Sequence, residues 1–167
     1  MAIYFDNAAT SPLRKEVIES INEVLLETYG NPSSNHSFGR KAKNIIENSR
    51  KIIASELNAS PKEIIFTSGG TESDNMLLRS AVEDLDVKTI ISTKIEHHAI
   101  LHALDYLEKK NISIVYLPVD KNGEFKYQDL ENALSFDDSK KLVSLMHVNN
   151  EIGNMIDLEY VSKICQS

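Results

Sequence analysis

Short apolar runs alternate with helical patterns along the second part of the chain. Four of these runs are EIIFTS, KTIIST, ISIVYLPV and KLVSLMHV, and each is followed by a turn and then by helical periodicity. A strand with one solvent-exposed face alternates between apolar and polar residues. These runs are continuously apolar, so both of their faces are expected to be covered by helices. Strand–helix alternation of this kind predicts an α/β fold with a mainly parallel sheet, right-handed crossovers and flanking helices.

The residues before the first run predict two helices and a loop. Apolar residues recur at helical spacing over residues 12–29, with a proline near the first turn and a glycine after the last. Residues 30–39, GNPSSNHSFG, are rich in turn formers and predict a loop that a second helix follows. We expect a single partial domain over residues 1–167, with N-terminal helices in 1–60 and an α/β part in 61–167. The last helical pattern reaches the chain end without a cap, as if the fold continued.

Charge and composition exclude several classes of protein. The formal net charge of −7 opposes general attraction to nucleic acid or to an anionic membrane, so we expect neither as a partner. No apolar run approaches the ~20 residues that span a bilayer, and the start of the chain does not resemble a signal peptide. The single cysteine, Cys165, excludes an intramolecular disulfide framework. The sequence therefore predicts a cytoplasmic protein.

The segment TSGGTESDN, residues 67–75, joins the first apolar run to a helix predicted from Thr71. Ligands of parallel sheets bind at the carboxyl ends of strands, where the unpaired N–H groups of the following helix attract anions. Gly69 and Gly70 allow the backbone to approach a phosphate closely, and the Thr71 hydroxyl adds a donor. The alternative is a capping box in which Thr71 is the N-cap and Asp74 reaches back. The segment lacks the spacings of a P-loop or of G-x-G-x-x-G, so generic nucleotide binding is disfavoured.

Two further polar clusters follow predicted strands. EHHAI, residues 96–100, places a histidine at a helix start, where its imidazole could stack on a planar ligand and exchange protons near neutral pH. The alternative is a solvated histidine; His98 and His102 are expected to be such bystanders, without a third ligand for a metal site. HVNNEIG, residues 147–153, contains adjacent asparagines that could shape a turn or aim an amide at a ring oxygen. Together the three clusters favour a flat, polar, phosphate-bearing ring as ligand.

These motifs, together with IYFDNAAT near the start and GNPSSNHSFGR, resemble the cysteine desulfurases. That family consists of fold-type I, pyridoxal-phosphate-dependent enzymes of the class V aminotransferase group. The resemblance implies the N-terminal part of such an enzyme, an incomplete large domain of the fold-type I PLP-dependent transferase fold. It implies pyridoxal 5′-phosphate as cofactor, with Gly70 and Thr71 on its phosphate. It also implies that His97 lies over the pyridine ring in an acid–base role and that Asn150 binds the 3-oxygen of the ring.

The same resemblance implies an activity and partners. Such enzymes convert L-cysteine to alanine and leave a persulfide on an enzyme cysteine, which feeds iron–sulfur cluster assembly or thiolation. They are homodimers, with residues 30–39 expected near the subunit interface. They also pass sulfur to an acceptor or scaffold protein, so such a partner is expected here.

Members of the family continue beyond the last residue of this sequence, and that part carries the lysine that anchors the cofactor and the nucleophilic cysteine. The sequence contains no His-Lys pair. Cys165 follows Val161 and Ile164 on a helical pattern, so we expect a buried structural cysteine and not the nucleophile. We therefore expect these 167 residues alone to be inactive, and an uncovered sheet edge to favour a dimer or soluble aggregates over a compact monomer.

Other functions fit the same motifs. A selenocysteine lyase, or a class V aminotransferase acting on another amino acid, would have the same cofactor and the same fold. A truncated, non-catalytic module for binding or dimerisation is a further interpretation. The region that carries the nucleophile distinguishes the enzymes from one another, because their motifs in this part of the chain are shared.

Overall fold

The computed structural model describes residues 3–166, which form two compact units that meet in sequence between Phe66 and Thr67. The first unit contains α1 (Lys15–Glu27), α2 (Ser37–Glu56) and a 3₁₀ turn (Pro61–Glu63). The second unit contains α3 (Gly70–Glu83), β1 (Thr89–Thr93), α4 (His98–Glu108), β2 (Ser113–Leu117), α5 (Tyr127–Leu134), β3 (Lys141–Val143) and α6 (Leu158–Gln166). Within residues 3–166, no helix is both long and apolar enough to cross a bilayer.

The loop that precedes α2 is tied to the first turn of that helix. His36 is the N-cap, and its Nδ1 accepts the Gly39 N–H at 3.4 Å. A Cβ on Gly39 would collide with the Ser34 carbonyl oxygen, so only glycine allows the loop to lie this close to the helix. The predicted loop of residues 30–39 is thus shorter than expected, because its last residues already belong to α2.

Helix α1 is amphipathic, but it buries none of its residues. Its apolar side chains remain exposed: Val17 is 42% exposed, Ile18 44%, Ile21 45% and Leu25 71%. An amphipathic helix normally places its apolar stripe against another element. In the first unit this stripe is left exposed.

The second unit is built on a three-stranded parallel sheet with the order β2-β1-β3. Ile91 of β1 lies opposite Val115 of β2 on one side and Val143 of β3 on the other. Every residue of β1 is buried, as expected for a central strand that helices cover on both faces. The predicted parallel α/β sheet with flanking helices is therefore confirmed.

Successive residues of β1 belong to two separate cores, because side chains alternate between the faces of a strand. Ile90 packs with α3 and with Leu104 of α4. Ile91 packs with Leu130 of α5 and Val161 of α6. Both isoleucines are fully buried, and each such side chain contributes about 1.5–3 kcal/mol relative to an exposed one. The Ile90 core holds α3 and α4 on one face of the sheet, and the Ile91 core holds α5 and α6 on the other.

The strand predicted at EIIFTS is wrong. Glu63 ends the 3₁₀ turn, and residues 64–67 belong to none of the strands in the described part of the chain. Ile65 is 63% exposed and Phe66 is 47% exposed. An apolar run indicates a tendency to be buried, but a strand also needs a neighbour for its hydrogen bonds, and none of the described strands supplies one.

The strand predicted at KLVSLMHV is shorter than its apolar run. Pairing with β1 ends at Val143, although the Ser144 N–H still donates to Ile91 O at 2.9 Å. The next backbone donor that turns towards β1, the Met146 N–H, binds a side chain of the neighbouring loop. The chain therefore leaves the sheet early and enters the turn that carries the two asparagines.

Candidate functional site

Three segments of the second unit lie at the carboxyl end of the sheet. The start of α3 lies there, because α3 leads into the amino end of β1. Residues 94–97 follow β1, and residues 144–152 follow β3. This edge of a parallel sheet is where ligands bind, since the helix starts converge on it. All three polar clusters found in the sequence are therefore at the same edge.

Helix α3 begins one residue earlier than predicted, at Gly70, with Gly69 as its N-cap. The alternative interpretation, a capping box, is wrong, because Thr71 is the second residue of the helix and no side chain bonds across its N-cap. Glu72 provides a different link, in which its Oε2 accepts the Ser68 N–H at 2.6 Å. Hydrogen bonds from Ser68 lower the pKa of the Glu72 carboxyl.

The start of α3 leaves backbone donors available. The first hydrogen bond of the helix joins the Ser73 N–H to Gly69 O at 3.1 Å, so the N–H groups of Gly70 and Thr71 precede it. Within residues 3–166, neither of these N–H groups nor the Thr71 hydroxyl has a hydrogen-bond partner. A Cβ on Gly69 or Gly70 would meet no atom within 4 Å. The turn therefore offers donors, the positive end of a helix and open space for an anion.

His97 is the N-cap of α4. Its Nδ1 accepts the Ala99 N–H at 3.1 Å, so the neutral imidazole carries its proton on Nε2. His98 and His102 lie on the helix itself, with ring centroids 5.8 Å apart. Of these three histidines, only His97 has a ring nitrogen that is hydrogen-bonded to the backbone.

His97 lines an open depression of about 290 Å³ at the end of the sheet. Asp74 of α3 lines the same depression, together with Glu96 and residues 143–146. Asp74 lies one turn into the helix that begins with the glycine turn. The alternative interpretation of the sequence placed Asp74 in a capping box, whereas in the structure Asp74 and His97 line the same depression.

Glu96 is a buried carboxylate that joins two of the three segments. Its Oε1 accepts the Thr93 hydroxyl at 3.0 Å and the Met146 N–H at 3.1 Å. Burial raises the pKa of the Glu96 carboxyl, the two hydrogen bonds oppose that rise, and the charge of Asp74 adds to it. Sequence reasoning missed this role, because a glutamate before a helix start is usually exposed.

Glu96→Gln is expected to remove a pH-dependent contribution to stability. The folded protein holds the Glu96 proton more tightly than the unfolded chain does. Stability from this group is therefore greatest in acid and declines as pH rises from the ordinary glutamate pKa through the raised one. The glutamine stays neutral, and its Oε1 can still accept the Met146 N–H. Thermal unfolding should thus show the wild-type melting temperature falling relative to that of the variant as pH rises through this window. A constant difference between the two proteins would contradict the prediction.

The two adjacent asparagines have different environments. Asn149 is only 7% exposed, and its Nδ2 donates to Ile95 O at 2.8 Å. Its Oδ1 accepts the N–H groups of Glu151 at 2.9 Å and Ile152 at 3.2 Å. Asn150 is exposed, and its Nδ2 donates to the Glu151 carboxylate at 3.1 Å. The amide of Asn150 is therefore the more available of the two to a ligand, while Asn149 holds the turn. The family resemblance singled out Asn150 for the ring, but it assigned no role to Asn149.

Cys165 is exposed on α6, so the prediction of a buried structural cysteine is wrong. Val161 is the buried residue of this helix, and the next position along the helix after Ile164 turns away from the core. Partial desolvation raises the pKa of the Cys165 thiol, which disfavours the reactive thiolate. Within residues 3–166, no group of three His, Cys, Asp or Glu side chains is arranged to hold a metal ion.

Known proteins resemble this chain along nearly its whole length. The cysteine desulfurase IscS of Dictyoglomus turgidum is 48% identical over 166 residues, which cover 98% of this chain and 42% of the relative. The cysteine desulfurase IscS of Methanosarcina thermophila is 43% identical over 167 residues, which cover 99% of this chain and 41% of the relative. The chain thus spans about two fifths of the length of these curated relatives.

Solved structures give the same result. A NifS-like protein has a TM-score of 0.93 at 40% identity, with 99% of this chain and 46% of that chain covered. SspA, solved in complex with cysteine, has a TM-score of 0.89 at 33% identity, with 98% of this chain and 47% of that chain covered. Residues 3–167 match the family model described as aminotransferase class-V. The chain belongs to the class-V aminotransferase family, as its motifs predicted.

Proposed function

We propose that this chain forms part of a pyridoxal 5′-phosphate site in a cysteine desulfurase. The natural full-length protein that contains this sequence would convert L-cysteine to alanine and leave the sulfur as an enzyme-bound persulfide. The observation that carries the proposal is that an open helix N-terminus, a backbone-fixed histidine and an exposed asparagine all lie at one edge of the sheet. The bound cofactor supplies an electron sink for bond cleavage at the α-carbon of the amino acid.

The start of α3 fits the phosphate of this cofactor. The N–H groups of Gly70 and Thr71 and the hydroxyl of Thr71 can each donate to a phosphate oxygen. The open space beside Gly69 and Gly70 allows the phosphate to approach the backbone. The overall charge of −7 opposes an anion, so these local donors are needed to hold it.

His97 and Asn150 fit the ring. An imidazole at the mouth of the depression can stack on a flat pyridine, and the Asn150 amide can donate to the 3-oxygen. With Nδ1 accepting the Ala99 N–H, the Nε2–H of His97 is a hydrogen-bond donor. His97 can accept a proton from the substrate at Nε2 once its own proton has moved to Nδ1, and that move breaks the hydrogen bond to Ala99. The Nδ1 bond also orients the ring, so that the proton is held at a fixed position.

The remaining chemistry is assigned to the part of the relatives that this chain does not span. The 167 residues contain no His-Lys pair, and Cys165 lacks the activated setting of a nucleophile. We propose that the anchoring lysine and the persulfide-forming cysteine lie in that part, and that residues 1–167 are a single partial domain. Iron–sulfur cluster assembly and thiolation are the processes that such sulfur would serve.

The proposed partners are L-cysteine, a second copy of the protein and a sulfur acceptor or scaffold protein. A neighbour solved in complex with cysteine supports the substrate. The open apolar stripe of α1 supports a homodimer, since about 25 cal/mol is gained for each Å² of apolar surface removed from water. The protein is proposed to act in the cytoplasm.

Cofactor binding tests this proposal. Titration of the protein with pyridoxal 5′-phosphate, followed by absorbance, should show one site, and pyridoxal without the phosphate should bind at least about tenfold more weakly, because it cannot use charge-assisted hydrogen bonds. Inorganic phosphate should compete with the cofactor. Equal affinity for the two vitamers, or no binding to the natural full-length protein, would contradict the proposal.

The 167 residues alone are expected to bind without a covalent link. Borohydride reduction followed by mass spectrometry should then label no single lysine stoichiometrically, and no alanine should form from cysteine. The natural full-length protein is the matched control, in which one lysine should be labelled and alanine should form. Stoichiometric labelling of one lysine in the 167 residues would contradict the assignment of the anchoring lysine to the part that this chain does not span.

A further inference from the structure

Asn149 connects two of the segments that form the proposed site. Its Nδ2 donates to Ile95 O, two residues before His97, and its backbone leads directly into Asn150. The same side chain also accepts two N–H groups within its own turn. At 7% exposure, little water competes for these hydrogen bonds, so each helps to fix the turn.

The backbone of the turn is closed as well. The Asn149 N–H donates to Asn154 O at 2.8 Å, and the Gly153 N–H donates to Asn149 O at 2.8 Å. A further hydrogen bond, from the Met146 N–H to Glu96 Oε1, crosses between the same two segments at 3.1 Å. The turn is therefore a fixed unit, and Asn149 is the residue of that turn whose side chain bonds to the loop before His97.

We propose that Asn149 is a positioning residue that sets the location of Asn150 relative to His97, and so the contacts of both residues with one ring. This inference rests on the proposed function. Asn149 does not touch the ligand. Without the Nδ2 donor of Asn149, the part-buried carbonyl of Ile95 loses a partner, and the turn is free to shift away from the start of α4. The glycine turn makes no hydrogen bond to Asn149, so phosphate binding does not depend on it.

The substitution Asn149→Asp separates the positioning of Asn150 from the binding of the phosphate. It keeps the size of the side chain and the Oδ1 acceptor for the turn, but it removes the donor to Ile95 O. In the natural full-length protein, the dissociation constant for pyridoxal 5′-phosphate should rise about tenfold, because one part-buried hydrogen bond is lost. The absorption maximum of the bound cofactor should shift, since the hydrogen bond to the 3-oxygen is weakened. The affinity for inorganic phosphate should stay unchanged.

Matched variants complete the test. Asn132→Asp adds the same charge on an exposed face of α5 and should leave both affinities unchanged. Asn149→Ser retains a hydroxyl that can accept within the turn but is too short to reach Ile95 O. It should therefore show the same loss of cofactor affinity, and it replaces Asn149→Asp as the test if that variant folds poorly. Unchanged affinity and spectrum in both Asn149 variants would overturn the role of Asn149 alone. Equal losses for the cofactor and for inorganic phosphate would also overturn it, because they indicate general disruption. A wild-type protein without cofactor affinity would overturn the proposed function itself.

Discussion

Replacing His97 by asparagine is expected to lower the rate of alanine formation from cysteine by about a hundredfold or more in the natural full-length protein, since positioned acid–base groups contribute at least that much. Asparagine is a good N-cap, so its Oδ1 can replace the Nδ1 that now accepts the Ala99 N–H. The helix start is therefore preserved, while the group that holds and moves a proton at Nε2 is lost. Steady-state kinetics of alanine production measure the effect.

Two neighbouring histidines provide the controls for this prediction. His98→Asn and His102→Asn make the same chemical change on α4, at positions that do not line the depression. Both variants should keep rates close to that of the wild-type protein. Melting temperatures of all three variants should also be similar, because none of the substitutions removes a buried side chain. A fully active His97→Asn enzyme would contradict the acid–base role.

Thr71→Val is expected to weaken the binding of pyridoxal 5′-phosphate roughly tenfold or more, because it removes a hydroxyl donor to a charged group and such bonds contribute about 1.5–3 kcal/mol. Valine has nearly the same shape as threonine. The Thr71 hydroxyl has no partner among the residues that the structure describes, so folding should lose little. Equilibrium titration with the cofactor measures the change in dissociation constant.

The phosphate dependence of this effect is the decisive comparison. Thr71→Ser keeps the hydroxyl and should bind the cofactor almost as well as the wild-type protein. Pyridoxal, which lacks the phosphate, should bind Thr71→Val and wild type with equal affinity. If Thr71→Val weakened pyridoxal as much as pyridoxal 5′-phosphate, Thr71 would act on the ring or on the fold and not on the phosphate.

The helices and three of the strands could be predicted from the sequence because each carries a local signal. Helical spacing marked residues 12–29, and continuous apolar runs marked β1 and β2. The run EIIFTS shows where this reasoning fails, since pairing depends on which strand lies alongside and not on local composition. The early end of β3 has a similar cause, because the Met146 N–H binds the Glu96 carboxylate from a different part of the chain.

The edge of the sheet that carries the candidate site was also predictable, because glycine-rich and polar clusters followed successive apolar runs. The roles of the individual residues within each cluster were less predictable. Asn149 and Asn150 are chemically identical, and only burial and the hydrogen bonds of Asn149 separate the structural residue from the exposed one. Cys165 shows the same limit, since one position along a helix decides between the core and solvent.

Hydrogen exchange of the natural full-length protein, with and without ligand, tests most directly whether the three segments form one cofactor site. Pyridoxal 5′-phosphate should slow exchange in residues 69–72, 95–97 and 149–152 together, because the ligand contacts each of these segments or shields it from solvent. Inorganic phosphate should slow exchange only in residues 69–72, where the free N–H groups of α3 lie. Protection by the cofactor that omits residues 69–72, or that appears only outside these three segments, would contradict the account.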